Sequence, residues 1–151
     1  ASVVGRFAQG VHVETRACPE FVRLVEAGEI TSARARETVH RCLAPLLAAG
    51  MDQLVLGCTH FPFLSDAIQA EAGPGVTLVD PSPAVARQIG RMLRDLDALN
   101  PAGAPGIVTC YTTGQPDAFR AVLGTLLGAE FAEKADVRAA AWDGDRLCAL
   151  S

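Results

Sequence analysis

Short apolar runs, many of them β-branched, alternate along the chain with longer stretches whose apolar positions recur every three or four residues. A period of two marks strands and one near 3.6 marks helices. The alternation therefore predicts an α/β fold, with a mainly parallel sheet and flanking helices. Residues 11–15, Val-His-Val-Glu-Thr, read as a strand. Pro19 stands at the favoured first position of a helix over 20–27, and Gly28 stops it.

Thr31 or Ser32 caps a longer helix that places Ala35, Val39, Leu43, Leu46 and Leu47 on one face. Pro45 lacks an N–H and crowds the preceding turn, so it is expected to kink the last turns or end them. Gly50 closes the segment. Leu54, Val55 and Leu56 are the best candidates for a buried strand, ending at Gly57. A helix is expected over about 62–70, turn chemistry at Gly73, Pro74 and Gly75, and a strand over 76–79. Asp80, Pro81, Ser82 and Pro83 then read as a cap and start. The helix they open should turn Val85, Ala86, Ile89, Met92, Leu93 and Leu96 inward. Residues 100–106 form a Pro/Gly-rich loop, 107–112 a strand and 117–127 a helix. From Glu130 onward the pattern is weak, with a closing strand at 147–150. The Asp143-Gly144-Asp145 loop is too short for a calcium site.

Composition narrows the class. The 151 residues are half hydrophobic and one fifth charged, which suits a globular domain with a substantial core. Net charge is −4 and the arginines are scattered, so no direct nucleic-acid binding is expected. No apolar run approaches the roughly 20 residues needed to cross a bilayer. The five cysteines, Cys18, Cys42, Cys58, Cys110 and Cys148, are odd in number and contain no C-x-x-C pair. They are expected to be free thiols in a reducing cytoplasm. The chain opens on Ala1 rather than Met, as a piece of a longer chain would, or one that has lost its initiator.

The stretch from Leu54 to Leu64 carries the chemistry. A strand runs into Gly57, a turn displays Cys58, Thr59 and His60, and Pro62 restarts the chain as a helix. Ligands of open α/β sheets bind beyond the carboxyl ends of strands, where these three side chains would stand. A helix N-terminus favours anions, and together with a neighbouring His it favours the thiolate form of a cysteine. Such a thiol can act as acid–base catalyst or nucleophile. Against this stands the plainer reading of Cys58 as an inert, buried small side chain. A zinc site is disfavoured because Cys58 and His60 lack two further ligands at recognisable spacing.

The run Gly-Cys-Thr-His-Phe-Pro-Phe-Leu, from Gly57 to Leu64, resembles the second catalytic motif of glutamate racemases, members of the aspartate/glutamate racemase superfamily. Other stretches resemble the family in the same order: Ala17 to Glu26, then Leu78 to Ser82 with Ala84, Val85 and Ala86, then Thr112, Thr113, Gly114, Phe119, Leu127 and Gly128. The resemblance spans roughly residues 9–128. It implies a pseudo-symmetric two-lobe racemase fold. Residues 1–80 would be the second α/β lobe with the Cys-Thr-His motif, and residues 81–151 the returning segment of the first.

It also implies cofactor-independent interconversion of L- and D-glutamate, supplying D-glutamate for the peptidoglycan of the cell wall and so for cell shape. Two thiols on opposite faces of Cα exchange the proton, one as base and the other as acid. By resemblance Cys58 is one catalytic thiol, Thr59 and His60 contact the substrate, and His60 also assists Cys58. Glu26 matches a carboxylate near the site that orients His60; a solvated helix charge is the alternative. Glutamate is the small-molecule partner, no cofactor or metal is implied, and a homodimer is left open. Aspartate racemases of the superfamily tend to carry an acidic residue after Cys-Thr, so His60 favours glutamate. The family's Asp-Ser-Gly, Tyr-Gly and Ala-Cys-Asn-Thr segments do not occur here, and the last of these holds the other thiol. Cys18 lacks the Asn-Thr that follows that thiol. Cys18, Cys42, Cys110 and Cys148 read as packing residues, and His12 and His40 as surface or strand polar groups. The alternatives are a truncated homologue that binds a carboxylate or another protein, and a racemase of aspartate or a related acid. Isolated, the returning segment would expose apolar surface, and the chain would be poorly stable or aggregate.

Overall fold

The computed structural model describes residues 10–101 and 106–150, so the expected loop over 100–106 falls mostly outside the described residues. The elements run α1 (Pro19–Glu26), α2 (Ala33–Ala48), β1 (Gln53–Val55), a 3₁₀ turn (Phe61–Leu64), α3 (Ser65–Ala72) and β2 (Thr77–Val79). They continue with α4 (Ser82–Asp95), β3 (Thr109–Thr112), α5 (Pro116–Leu127), α6 (Ala129–Lys134), β4 (Asp136–Asp143) and β5 (Arg146–Ala149). β1 and β2 pair in parallel, with Leu54 opposite Leu78. The second sheet has the order β3-β4-β5, with β3 and β4 parallel and β4 and β5 antiparallel. The α/β class and the preference for parallel pairing expected from the pattern are both present.

The helix ends follow local chemistry. Ser32 is the cap of α2: its hydroxyl accepts the N–H of Ala35 at 3.0 Å and satisfies one orphan donor of the first turn. α1 ends as its sequence predicts. Gly28, at φ +70°, donates to the carbonyl of Val25, and Glu29 donates to that of Leu24. This pair of bonds closes the last turn and requires a left-handed residue, which glycine adopts without steric cost. Gly50 closes α2 in the same way.

One continuous core lies in the first half. Phe21, Leu24 and Val25 of α1 meet Ala35, Val39 and Leu43 of α2, with Leu56, Leu64 and Ile68 completing the cluster. The apolar face expected of α2 is the face it buries, with Leu46 and Leu47 packed at its edge. In the second half Ala132, Ala135 and Ala140 are buried, and Arg120 donates to the carbonyls of Ala132 and Ala135 at the end of α6. Leu126 of α5 packs on the first-half core, and Thr125 lies 3.5 Å from where a side chain on Gly28 would begin.

Several expectations are corrected. Residues 11–15 are irregular, and Val11 and Val13 are exposed. Alternation makes a strand only where a neighbour completes the ladder, and none among the described residues pairs with this stretch. Pro45 neither ends nor breaks α2, which continues to Ala48. Leu43, Leu46 and Leu47 pack across the proline and outweigh its one missing hydrogen bond. The strand at 54–56 is shifted to Gln53–Val55, and Val55 is exposed rather than buried on both faces. The expected helix at 62–70 is a 3₁₀ turn followed by an α-helix to Ala72. α4 buries none of its residues, so its apolar row does not point inward as expected. The closing strand is present as β5, and β4 was not anticipated.

Candidate active site

β1 delivers the reactive segment to the edge of the first sheet. The N–H of Leu56 donates to the carbonyl of Val79 at 3.0 Å, and its side chain is buried. The chain is thus held in register until it leaves the carboxyl end of the strand, where parallel sheets present their ligand sites. It then folds back on itself: Phe61 N–H donates to the Cys58 carbonyl at 3.1 Å and Phe63 N–H to that of His60 at 3.2 Å. The Phe61 ring packs edge-on against Phe21 of α1, centroids 5.2 Å apart, and Leu64 is buried beneath. These contacts bring the turn against α1.

Cys58, His60 and Glu26 come together. Cys58 Sγ lies 3.8 Å from His60 Nδ1, and His60 Nε2 lies 3.3 Å from Glu26 Oε1. The imidazole thus stands between a thiol and a carboxylate, and a proton on Nε2, the nitrogen nearer Glu26, would leave Nδ1 to accept from the thiol. The order thiol, imidazole, carboxylate couples a nucleophilic or acid–base sulfur to a group that can take and return its proton. Cys58 is half-buried, Thr59 is exposed, and the Glu26 side chain is mostly open to solvent.

Gly57, just past β1, does not need to be glycine for its conformation: its backbone is not left-handed and a side chain placed there would meet nothing within 4 Å. Pro62 does not start an α-helix; it lies within the short 3₁₀ turn, whose N-cap is His60. The expected α-helix N-terminus is therefore absent from beside Cys58, and the imidazole is the group next to the sulfur.

The other candidates separate from this cluster. Cys18 and Cys42 are joined as a disulfide, Cα atoms 6.4 Å apart, which corrects the expectation of free thiols at both positions. α1 packing on α2 brings the two sulfurs together, and a separation of 24 residues carries no signature in sequence. Cys110 and Cys148 are free and lie on β3 and β5. His40 pairs with Glu71 at the surface, and Asp80 accepts the N–H of Ser82 at the start of α4. Thr112 accepts the N–H of Gly114, which makes that segment a turn. Among the described residues no group of three His, Cys, Asp or Glu side chains gathers to hold a metal ion. Open grooves lie away from Cys58; the one between α1 and α2, about 240 Å³, is lined by Arg23, Arg34 and Arg41 with Glu20 and Glu37.

Residues 6–89 match the family described as Asp/Glu/hydantoin racemase, a span that contains Glu26, Cys58, Thr59 and His60. The chain belongs to that family. It is 48% identical over 117 residues to the glutamate racemase of Herpetosiphon aurantiacus, an alignment covering 78% of this chain and 46% of that one. Its fold is similar to the crystal structure of a glutamate racemase isoform from Bacillus anthracis, with TM-score 0.77 and 26% identity, covering 90% of this chain and 49% of that one. It is also similar to the glutamate racemase from Thermus thermophilus in complex with β-chloro-D-alanine, with TM-score 0.67, 35% identity and coverage of 82% and 46%. The chain spans about half the length of the curated relatives it matches.

Proposed function

We propose that this chain contributes one half of the active site of a glutamate racemase, with Cys58 as one of two acid–base thiols. The observation that carries the reading is the Cys58–His60–Glu26 cluster at the end of β1, within the segment that matches the family. In one direction the Cys58 thiolate takes the Cα proton of glutamate, and a second thiol delivers a proton to the opposite face; in the other direction the roles exchange. The second thiol belongs to a Cys-Asn-Thr segment that this sequence does not contain. His60 holds and returns the Cys58 proton, Glu26 orients the ring, and Thr59 binds the substrate. The Cα proton is very weakly acidic, so the remainder of the site must stabilise the carbanion electrostatically. The chemistry needs no cofactor. D-Glutamate made in the cytoplasm would supply cell-wall peptidoglycan and so sustain cell shape, and a homodimer is compatible with the reading.

We assign residues 1–80 to the second lobe and 81–151 to the returning segment of the first. The concentration of the core in the first half and the uncovered apolar side of α4 support this division.

The absence of the second thiol motif favours one other reading for this chain by itself: a carboxylate-binding module without turnover. Deuterium incorporation at Cα of glutamate in D₂O, followed by NMR with aspartate in parallel, separates the two. Racemase chemistry requires incorporation that Cys58→Ala abolishes. Incorporation that survives this substitution rejects the role of Cys58, and glutamate binding with no incorporation, even when the chain is completed with the Cys-Asn-Thr half of a glutamate racemase, selects the binding module.

A further inference from the structure

We propose that the Cys18–Cys42 disulfide is a reversible redox pair that holds α1, and with it Phe21 and Glu26, against the turn bearing Cys58 and His60. The proposal rests on the reading of Cys58 as a functional thiol and adds a regulator to that site.

α1 has only eight residues, too short to hold its shape without tertiary contacts. Among the described residues before it, 11–17 join no strand or helix. The one covalent tie at its start is Cys18, the N-cap residue, bonded to Cys42 on α2 beside the buried Leu43. From Cys18 a short series of contacts reaches the site. Its carbonyl accepts the N–H of Phe21, the Phe21 ring packs on Phe61, and the Phe61 N–H donates to the carbonyl of Cys58. At its other end α1 presents Glu26 to His60. Opening the disulfide removes the covalent tie at the start of a helix whose two ends both touch the reactive turn, and leaves its hold on α2 to Phe21, Leu24 and Val25 and to the Glu20–Arg41 ion pair.

Both cysteines are half-buried at the edge of the core, neither of them fully enclosed. A thiolate from a dithiol reductant, or from the first of two monothiols of the glutathione class, attacks one sulfur; the Cys18–Cys42 bond breaks as a mixed disulfide forms, and the second thiol resolves it. After exchange, Cys18 and Cys42 are thiols and the reductant is a disulfide, two electrons and two protons having passed to the protein. The corresponding oxidised thiol couple reverses the step.

The test reads Cys58 by its rate of alkylation with iodoacetamide, resolved by peptide mass mapping, in the chain prepared without reductant. The expected result is a Cys18–Cys42 cross-linked peptide, and alkylation of Cys58 about threefold or more faster after reduction with dithiothreitol or in the Cys18→Ala/Cys42→Ala double variant. Phe61→Leu weakens the ring contact but keeps the disulfide, and should shrink the difference between oxidised and reduced chains. Equal rates in the oxidised and reduced chains overturn the proposal, as do free thiols at both positions across glutathione buffers of all ratios. If the double variant does not fold, the oxidised and reduced wild-type chains still decide. Because alkylation does not require turnover, a failure here is distinct from the failure of Cys58→Ala to abolish deuterium incorporation.

Discussion

His60 Nε2 lies 3.3 Å from Glu26 Oε1, joining the turn after β1 to the last residue of α1. The Glu26 side chain is 65% exposed, so solvent screens the pair and its contribution to stability is about 0–1 kcal/mol. In the proposed mechanism the contact fixes the ring so that Nδ1 faces the thiol. Glu26→Gln should therefore leave thermal unfolding nearly unchanged, while Cys58-dependent deuterium incorporation falls about tenfold to hundredfold. Incorporation at the wild-type rate would return Glu26 to a solvated helix charge.

The packing contrast between the two halves gives a second expectation. Ile68 is fully buried among Leu24, Val39 and Leu64, whereas Ile89 of α4 is 53% exposed. Ile68→Ala removes core contacts and leaves a cavity, a change that costs about 2–5 kcal/mol. Ile89→Ala in the same chain should stay within about 0.5 kcal/mol of wild type. Urea unfolding of the two variants checks the pair. Equal losses would mean that α4 is packed in solution.

α4 ends on a residue that its backbone disfavours. Asp97 adopts φ +51°, donates to the carbonyl of Arg94, and is followed by Ala98 donating to that of Leu93. This is the closing motif that Gly28 and Gly50 complete in α1 and α2, here built with a side chain that crowds the backbone. Asp97→Gly should stabilise α4 by about 0.5–1 kcal/mol, offset in part by the added freedom of the unfolded chain. A rise in helical signal and midpoint on thermal melting is the expected result, and a fall would show that the aspartate side chain contributes more than the strain costs.

What was legible in the sequence was whatever local chemistry decides. Pro19, Gly28, Ser32 and Gly50 fix the ends of α1 and α2, and those ends stand where the sequence puts them. The α/β class and the Cys-Thr-His turn were equally plain. Long-range pairing was not. Residues 11–15 have the alternation of a strand but no neighbour to pair with, and Pro45 is overridden by the leucines around it. β4 went unread because its small residues, Ala139, Ala140 and Ala141, give little period, although the Gly144-Asp145 pair between β4 and β5 is a hairpin signal. The three side chains of the site were nameable in advance through the family resemblance, whereas the Phe21–Phe61 contact and the Cys18–Cys42 bond depend on how α1 meets its neighbours.

The apolar row of α4 carries the last prediction. Val85, Ile89, Met92 and Leu96 recur at helical spacing and are each more than half exposed, and Leu93 is 37% exposed. Ile107, Val108 and Tyr111 at and before β3 are exposed as well. Single exposed apolar residues are ordinary, but a helix with a full apolar stripe and no buried residue has a face built for contact. Fully burying such a side chain is worth about 1.5–3 kcal/mol, and these have roughly half of that still to gain, so in the absence of a cover the chain should gain by associating with itself. We expect the isolated chain to bind a hydrophobic dye and to elute larger than its monomer mass at micromolar concentration. Ile89→Glu combined with Met92→Glu should lower dye binding and restore a monomer, with little change in the unfolding of the first-half core, which α4 does not join. A wild-type chain that runs as a monomer and binds no dye would show that the stripe is already covered in solution and would remove this support for the two-lobe division.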